Sequence, residues 1–323
     1  MNNINVLGEK RENVRKKSFM TRTRKKLLFC ILVLALPICQ FALMGIYIKL
    51  NSFIMAFQKY TPGENGLIVN YTFENFKVAF RVLSEGKIMW KNSTLLFVFS
   101  TIGGLFISLI SSFYIYKKFL FHNAFMFILF LPSIISGLVY CLLFKYIAED
   151  VYRRVMETFG VTVETGLLIN KDTRFVTMLV FNVLMGFPGH IMLFVGGMKG
   201  IDESLVEYSQ IDGVNFWQEF WHITIPMIFP TLSTFLVVGI SSFFVHQMSL
   251  YSFYGDNLPY EDMQVFGYLI FRDSKQSDVF QAAGSKYLSY PELSAFGLLC
   301  TAITLTAIFT VKALMKKFGP SVD

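Results

Sequence analysis

Charged residues are scarce in this chain. Only 16% of its 323 residues are Asp, Glu, Lys or Arg, whereas 54% are hydrophobic. Soluble domains usually carry about a quarter charged residues, so the composition argues against an ordinary soluble protein and favours a membrane protein. The net charge of +7 does not point to nucleic acid, because the basic residues cluster beside the apolar segments, where a membrane topology requires them.

Sequence patterns typical of catalytic sites are also missing. The chain has no Gly-x4-Gly-Lys-Ser/Thr sequence, which ATP-hydrolysing proteins use to hold phosphates. It has four histidines, none with a zinc-type partner four residues away: His122, His190, His222 and His246. We therefore expect no catalytic residue, no metal site and no cofactor in this chain.

Cysteine is rare, and its spacing matches neither a disulfide framework nor a metal site. The four cysteines all lie within apolar runs: Cys30, Cys39, Cys141 and Cys300. We expect inert, buried thiols.

Long apolar runs are abundant. A bilayer core of about 30 Å requires roughly 20 apolar residues in a helix, and six runs are long enough. They extend over about Leu27 to Ile48, Leu95 to Tyr116, Ala124 to Phe144, Phe175 to Val195, Met227 to Phe244, and Leu293 to Val311. The sequence predicts an all-α polytopic membrane protein with six transmembrane helices and no cleaved signal peptide.

The basic residues predict the orientation of these helices, since Lys and Arg concentrate in short cytoplasmic segments. The first 26 residues contain nine of them, and the loop after the second span contains Lys117 and Lys118. We expect both termini in the cytoplasm. The predicted organisation is a basic arm (1–26), a transmembrane domain (27–316) and a short cytoplasmic tail (317–323). Three longer outer loops, 51–93, 145–174 and 255–290, are expected to contain short helices or partner contacts.

The loop between the fourth and fifth spans contains strong helix-start signals. Ser204 and Glu207 have the spacing of a capping box, and Asp202 and Glu203 add negative charge at the same helix end. We predict a helix to about Ile211, with Leu205, Tyr208 and Ile211 on one apolar face, that stops at Gly213.

A second helix is predicted in the same loop. Asn215 and Gln218 are a second cap-like pair, four aromatic residues follow, and Pro226 marks the entry to the fifth span. An amphipathic connector lying on the lipid surface is an alternative interpretation, particularly for this aromatic helix. The first helix is short, acidic and capped, which suits docking on a cytoplasmic protein better.

The loop resembles the signature of permease subunits in binding-protein-dependent ABC importers. That signature is a Glu-Ala-Ala triplet, an Asp-Gly pair three residues later, and a hydrophobic-Pro pair about a dozen residues further on. Here it reads Glu207-Tyr208-Ser209, Asp212-Gly213 and Ile225-Pro226. The resemblance implies the type I importer permease fold, in which this loop (about 197–226) is the coupling helix that docks on an ATPase. Tyr208 and Ser209 replace the two alanines, which suggests a matched ATPase partner.

Other segments are similar to the first permease of maltose-type and other oligosaccharide importers. They are residues 51–62, residues 71–80 and the final "KKFGP". Together with the loop signature, the resemblance to these permeases covers about residues 27–320. It implies a bacterial plasma-membrane complex with a second homologous permease, two ATP-binding subunits that hold ATP and Mg, and an extracytoplasmic solute-binding lipoprotein. An importer for a non-sugar solute is the nearest alternative, and a stand-alone channel or a membrane-embedded enzyme is the alternative from another class.

Polar residues inside the predicted spans are candidates for the substrate path, because burying them in lipid is costly. Ser242, His246 and Ser249 have the spacing of one helix face, with Gln247 beside them. The other candidates are Asn182 in the fourth span and Tyr140, an aromatic face suited to stacking on a sugar. Packing between helices is the competing explanation for each of them.

Overall fold

The computed structural model describes residues 26–27, 29–63, 66–256, 258–278 and 287–320. Most of the basic N-terminal arm and the last three residues therefore lie outside the described residues. The described chain forms two compact units, residues 1–72 and residues 73–323.

The first unit contains one long helix and a hairpin. Helix α1 (Phe29–Met55) is apolar, and its most hydrophobic window has no buried residue. Cys30 and Cys39 lie on it and are exposed, so the expectation of buried thiols is wrong for these two. Strands β1 (Gln58–Gly63) and β2 (Gly66–Tyr71) pair antiparallel after it, with Gln58 opposite Tyr71.

The second unit is helical throughout its described part. Its first half contains α2 (Glu74–Glu85), α3 (Lys87–Tyr116), α4 (His122–Ile134), α5 (Gly137–Tyr146), α6 (Tyr152–Thr158) and α7 (Arg174–Lys199). Its second half contains α8 (Glu203–Ile211), α9 (Phe216–Met227), α10 (Phe229–Ser241), α11 (Leu250–Tyr254), α12 (Phe266–Gln276) and α13 (Tyr290–Phe318). Helices α2, α6 and α12 lie in the predicted outer loops, which confirms that those loops contain short helices.

Four described helices are long and apolar enough to cross a membrane: α1, α3, α7 and α13. Helices α9 and α10 make a fifth if they are counted as one span, although they bend by 73° at Ile228. The predicted third span is divided between α4 and α5, because Ile135 and Ser136 adopt extended backbone conformations. Neither half alone is long enough to count as a span.

Clusters of buried apolar side chains hold the described part of the second unit together, and two of them surround the helices discussed below. One joins α3, α7 and α9 and includes Phe113, Phe194 and Phe220. The other joins α5, α7 and α11 and includes Met178, Phe181 and Met248. Cys141 belongs to the second cluster and Cys300 is also buried, so the prediction of buried thiols is confirmed for these two.

Close approaches between helices depend on two glycines. A Cβ at Gly239 of α10 would collide with the Thr101 side chain of α3. A Cβ at Gly267 of α12 would collide with the backbone of His246, in the segment that follows α10. These contacts fix α10 against α3 and place α12 directly over the 242–249 segment.

Candidate functional site

Helix α8 is capped at its start by Asp202, two residues before the predicted capping serine. The Asp202 Oδ1 atom accepts hydrogen bonds from the Ser204 backbone N–H at 3.0 Å and the Ser204 hydroxyl at 2.9 Å. The predicted capping box of Ser204 with Glu207 is therefore wrong, because the aspartate satisfies the first free backbone donor with a charged acceptor. The Ser204 hydroxyl and amide hold the pKa of the Asp202 carboxyl below its usual range.

Helix α8 ends as the sequence predicts. Its last helical residue is Ile211, Asp212 follows as the C-cap, and Gly213 adopts φ +73°. The Val214 N–H donates back to the Ser209 carbonyl at 3.0 Å, which closes the end of the helix. The space around Gly213 is open, so a left-handed backbone, not crowding, requires glycine there.

The exposed side of α8 is apolar at its centre and acidic at its edge. Tyr208 is 67% exposed and Ile211 is 80% exposed, and both lie on the predicted face with Leu205. Glu203 and Glu207 are exposed as well. Ser209 points the other way: it is buried, and its hydroxyl donates to the Val206 carbonyl at 2.7 Å. Tyr208 and Ser209, which stand in place of the two alanines of the signature that the loop resembles, therefore lie in different environments.

Helix α9 starts at the predicted cap-like pair, which forms a full capping box in the structure. The Gln218 N–H donates to Asn215 Oδ1 and the Asn215 N–H donates to Gln218 Oε1, each at 2.9 Å. Phe220 is fully buried, whereas Trp217 and Trp221 remain about half exposed. The helix thus has one aromatic face in the protein core and another on the surface.

The buried face of α9 packs on the end of α3. The Phe113 ring lies 4.7 Å from the Phe216 ring and 5.1 Å from the Phe220 ring, measured between centroids. Glu219 is 5% exposed, and its Oε1 lies 2.5 Å from the Lys117 Nζ. Sequence reasoning missed this pair. Glu219 lies between apolar residues on one helix face, which indicates that its carboxylate is buried. A buried carboxylate requires a basic partner, so the sequence did contain a signal for this pair.

The predicted face of Ser242, His246 and Ser249 does not exist. Helix α10 ends at Ser241, and Met248 and Ser249 adopt positive φ angles of 54° and 56°. The segment is therefore not a continuous helix, and the helical spacing of these three residues does not place them on one face. One tertiary contact joins two of the candidates, because the Ser249 hydroxyl donates to Asn182 Oδ1 at 3.4 Å. His246 makes a local contact instead, in which its Nδ1 accepts from the Met248 N–H at 3.2 Å.

Asn182 fixes this irregular segment to α7. It is buried, and its Nδ2 donates to the Met248 carbonyl at 3.1 Å and to the Met178 carbonyl at 2.7 Å. The amide therefore satisfies a carbonyl that has no helical partner in the break after α10. Packing is a sufficient explanation for Asn182.

The three remaining candidates, Tyr140, Gln247 and Ser242, have different surroundings. Tyr140 is half-buried, with its ring 5.7 Å from that of Phe181. Gln247 is half-buried, and its Oε1 is shielded from solvent without a hydrogen-bond partner in the described part of the chain. Ser242 donates to the Gly239 carbonyl at 2.8 Å and so closes the end of α10.

Comparison with known proteins identifies similar transport proteins. Arabinooligosaccharides transport system permease protein AraP of Bacillus subtilis (strain 168) is 25% identical over 230 residues, covering 69% of this chain and 71% of that relative. Multiple sugar-binding transport system permease protein MsmF of Streptococcus mutans is 26% identical over 114 residues, or 35% of this chain and 39% of the relative. The probable starch degradation products permease AmyD of Thermoanaerobacterium thermosulfurigenes matches at 25% identity, also over 39% of its length.

The fold is that of a solved transporter. One chain of a bacterial alginate ABC transporter, crystallised with an alginate pentasaccharide-bound periplasmic protein, matches with a TM-score of 0.69 at 19% identity. The match covers 91% of this chain and 96% of that one. A second structure of a bacterial alginate importer matches equally well, with a TM-score of 0.69. At this identity the likeness establishes the fold alone.

Residues 100–323 match the model of a protein family described as the binding-protein-dependent transport system inner membrane component. This segment includes α7 to α13 and therefore the whole of the two-helix loop. The match and the long apolar helices together make the protein a multi-pass component of the bacterial inner membrane and part of a transporter. The chain belongs to the family of binding-protein-dependent transport system inner membrane components.

Proposed function

We propose that this protein is one permease subunit of an ATP-driven importer that takes up a carbohydrate, most specifically an oligosaccharide. The observation that carries the proposal is the exposed, doubly capped loop of α8 and α9 in a chain of this family. The substrate class is supported by relatives named for arabinooligosaccharides and multiple sugars, and by a fold shared with an alginate transporter.

In this proposal the loop is the contact with the ATPase. Tyr208 and Ile211 fit an apolar cleft on that partner, and Glu207 beside them pairs with a basic residue at its rim. Ser209 lies on the buried side of α8, where its hydroxyl bonds the Val206 carbonyl, and Asp212 with Gly213 shapes the end of the helix. ATP and Mg bind in the ATPase subunits, and the permease contributes a stiff contact whose affinity differs between two conformational states.

The proposed assembly is supported by the family description, which names a binding protein, and by the resemblance of the sequence. This chain forms half of the path with a second homologous permease, in a complex with two ATPase subunits on the cytoplasmic side and an extracytoplasmic binding lipoprotein that delivers the sugar. Six spans cross the membrane if α4 with α5 and α9 with α10 each count as one. Both termini then lie in the cytoplasm, and the exposed Trp217 and Trp221 suit the lipid interface.

The substrate path is proposed along the break after α10. Gln247 offers a buried amide oxygen without a partner among the described residues, which suits a sugar hydroxyl. Tyr140 offers an aromatic face, and His246 and Ser249 lie in the same irregular segment. Asn182 and Ser242 act there by holding the backbone of that segment, through the bonds described above.

The test is reconstitution of the complex in liposomes with a panel of solutes. ATP hydrolysis and uptake are measured with arabino-, malto- and alginate-oligosaccharides, and with a peptide and phosphate for comparison. We expect stimulation by one oligosaccharide class. Stimulation by the peptide or phosphate alone would contradict the carbohydrate assignment, and uptake without ATP would indicate a channel.

Glu207→Ala tests the proposed contact in the same complex. We expect uptake to fall by about tenfold or more while the chain still inserts and assembles, because a coupling free energy of 1–3 kcal/mol is removed. Glu157→Ala, in the outer helix α6, is the matched control and should leave uptake unchanged. If Glu207→Ala showed the same uptake and ATP hydrolysis as the wild type, the ATPase contact would lie elsewhere.

A further inference from the structure

The loop is built of two helices with different attachments. Helix α8 is largely exposed: Val206 packs against the apolar cluster of α3, α7 and α9, and Ser209 is buried. Helix α9 is fixed to α3 by the aromatic contacts of Phe113 and by the pair of Lys117 with Glu219. Gly213, with its left-handed backbone, lies between the two helices.

The pair of Lys117 with Glu219 is nearly removed from water. The exposed fractions of the two side chains are 17% and 7%, and the Lys117 Nζ also lies 5.9 Å from the ring centroids of Phe113 and Tyr116. Screening by solvent is weak at such a site, and loss of one partner leaves an uncompensated buried charge. The contact is therefore a strong constraint on the position of α9, unlike an exposed surface pair.

The covalent chain joins the loop only to α7 and α10. The ion pair adds a third connection, to α3, across a sequence distance of about a hundred residues. Lys117 is the residue at which α3 ends, so a displacement of α9 acts directly on the end of that long helix. Glu219 lies in the first turn of α9, close to the connection with α8.

We propose that Lys117 and Glu219 are positioning residues that make α3 move with the loop when the ATPase displaces α8. The inference rests on the proposed function, because it assumes that the loop contacts an ATPase. It adds that the movement enters the permease through α3 as well as through α7 and α10. Lys117 and Glu219 touch neither substrate nor nucleotide in this account.

The experiment measures a distance within the complete reconstituted complex. Spin labels are placed at Leu120, just beyond α3, and at Gln210 on α8, both exposed, in a background with the native cysteines replaced by alanine. A third position, Leu314 on α13, reports movement of the loop against a separate helix. Pulsed electron paramagnetic resonance measures the distance between two labels, first without nucleotide and then with ATP plus vanadate.

With Lys117 and Glu219 intact, we expect the Leu120–Gln210 distance to stay constant while the Leu314–Gln210 distance changes. Lys117→Met and Glu219→Gln should each shift and broaden the Leu120–Gln210 distance in the ATP–vanadate state. Lys118→Met removes an adjacent, exposed lysine and should have no effect. The charge exchange Lys117→Glu with Glu219→Lys should restore the constant distance, a rescue that loss of packing alone does not predict.

Lys117→Arg is the conservative variant, in case the exchanged pair fails to fold, and it should behave as wild type. A constant Leu120–Gln210 distance in Lys117→Met and Glu219→Gln would overturn the inference and leave the proposed function standing. The inference would also fail if Lys117→Arg were as damaging as Lys117→Met. Absence of any nucleotide-dependent movement with the pair intact would overturn the proposed function, and this inference with it.

Discussion

At the scale of single residues, the loop depends on a few backbone requirements. Gly213 adopts a left-handed conformation in open space, and Asp202 supplies the acceptor that starts α8. Each acts on one end of the same nine-residue helix. A helix this short is marginal on its own, so its two ends determine how stiff it is.

Gly213→Ala should loosen the end of α8. A side chain in the left-handed region costs about 1–2 kcal/mol, which corresponds to roughly five- to thirtyfold faster hydrogen exchange of the amides that close the helix. Exchange in a peptide covering residues 205–216 measures this. Gly297→Ala is the control, because Gly297 lies within α13 in open space and alanine favours a helix there. Equal exchange in the two variants would contradict the assigned role of Gly213.

The pKa of Asp202 predicts how α8 responds to acid. Because the folded-state pKa is below the usual value, the capping contribution is fully present above about pH 4, and it is lost as the pH falls through the lowered pKa. The mobility of a spin label at Gln210 should therefore increase only in acid. Asp202→Asn keeps a hydrogen-bond acceptor that does not titrate, so the label in this variant should not become more mobile in acid. If it did, the acid response would come from a group other than Asp202.

At the scale of elements, the break after α10 is a structural feature in its own right. The chain leaves the helix at Ser242, passes through two residues with positive φ, and resumes as α11 at Leu250. Gly267 allows α12 to pack directly on the backbone of this segment. The break is thus held from two sides, by α7 through Asn182 and by α12.

Asn182→Leu should destabilise this arrangement. The Met248 carbonyl would lose its donor inside the protein, at a cost of about 1–3 kcal/mol. We expect a lower midpoint of thermal unfolding in detergent. Thr306→Ala is the control, since the Thr306 hydroxyl is exposed and bonds only the carbonyl four residues before it. If both variants unfolded at the same temperature, the bond from Asn182 to Met248 would have no measurable role.

At the scale of the whole protein, the exposed face of α8 is the surface that we propose for the ATPase partner. Tyr208 is the largest side chain on it and stands where the signature that the loop resembles has an alanine. Tyr208→Ala should weaken binding of the cognate ATPase by about 2 kcal/mol, or roughly thirtyfold, as for a tyrosine at the centre of an interface. Titration of the ATPase subunit onto the permease in nanodiscs measures the affinity.

Phe309→Ala is the matched control for Tyr208→Ala. Phe309 is 68% exposed on α13, far along the chain from the loop, and its loss should not change ATPase binding. If an ATPase from a transporter with the usual Ala-Ala pair bound wild type and Tyr208→Ala equally well, Tyr208 would have no role in partner choice.

Much of the loop was predictable from the sequence because its signals are local. The end of α8 at Gly213 and the capping box of Asn215 with Gln218 depend on residues within three or four positions of each other. The start of α8 was misassigned by two residues, because Asp202 and Ser204 are both good caps and only the backbone conformation of Asp202 distinguishes them. The helical phase assigned to Ser242–Ser249 failed because a contact from another helix overrides it.

Composition, periodicity and caps act within one helix or turn, so they were enough to predict the membrane class, most of the apolar helices and the capped loop. The packing of the helices was needed to show that Ser209 faces inward and Tyr208 outward, that Asn182 holds the broken span, and that Lys117 pairs with Glu219. These contacts join residues from separate helices. Their energies depend on burial and distance, which exist only once the helices have packed.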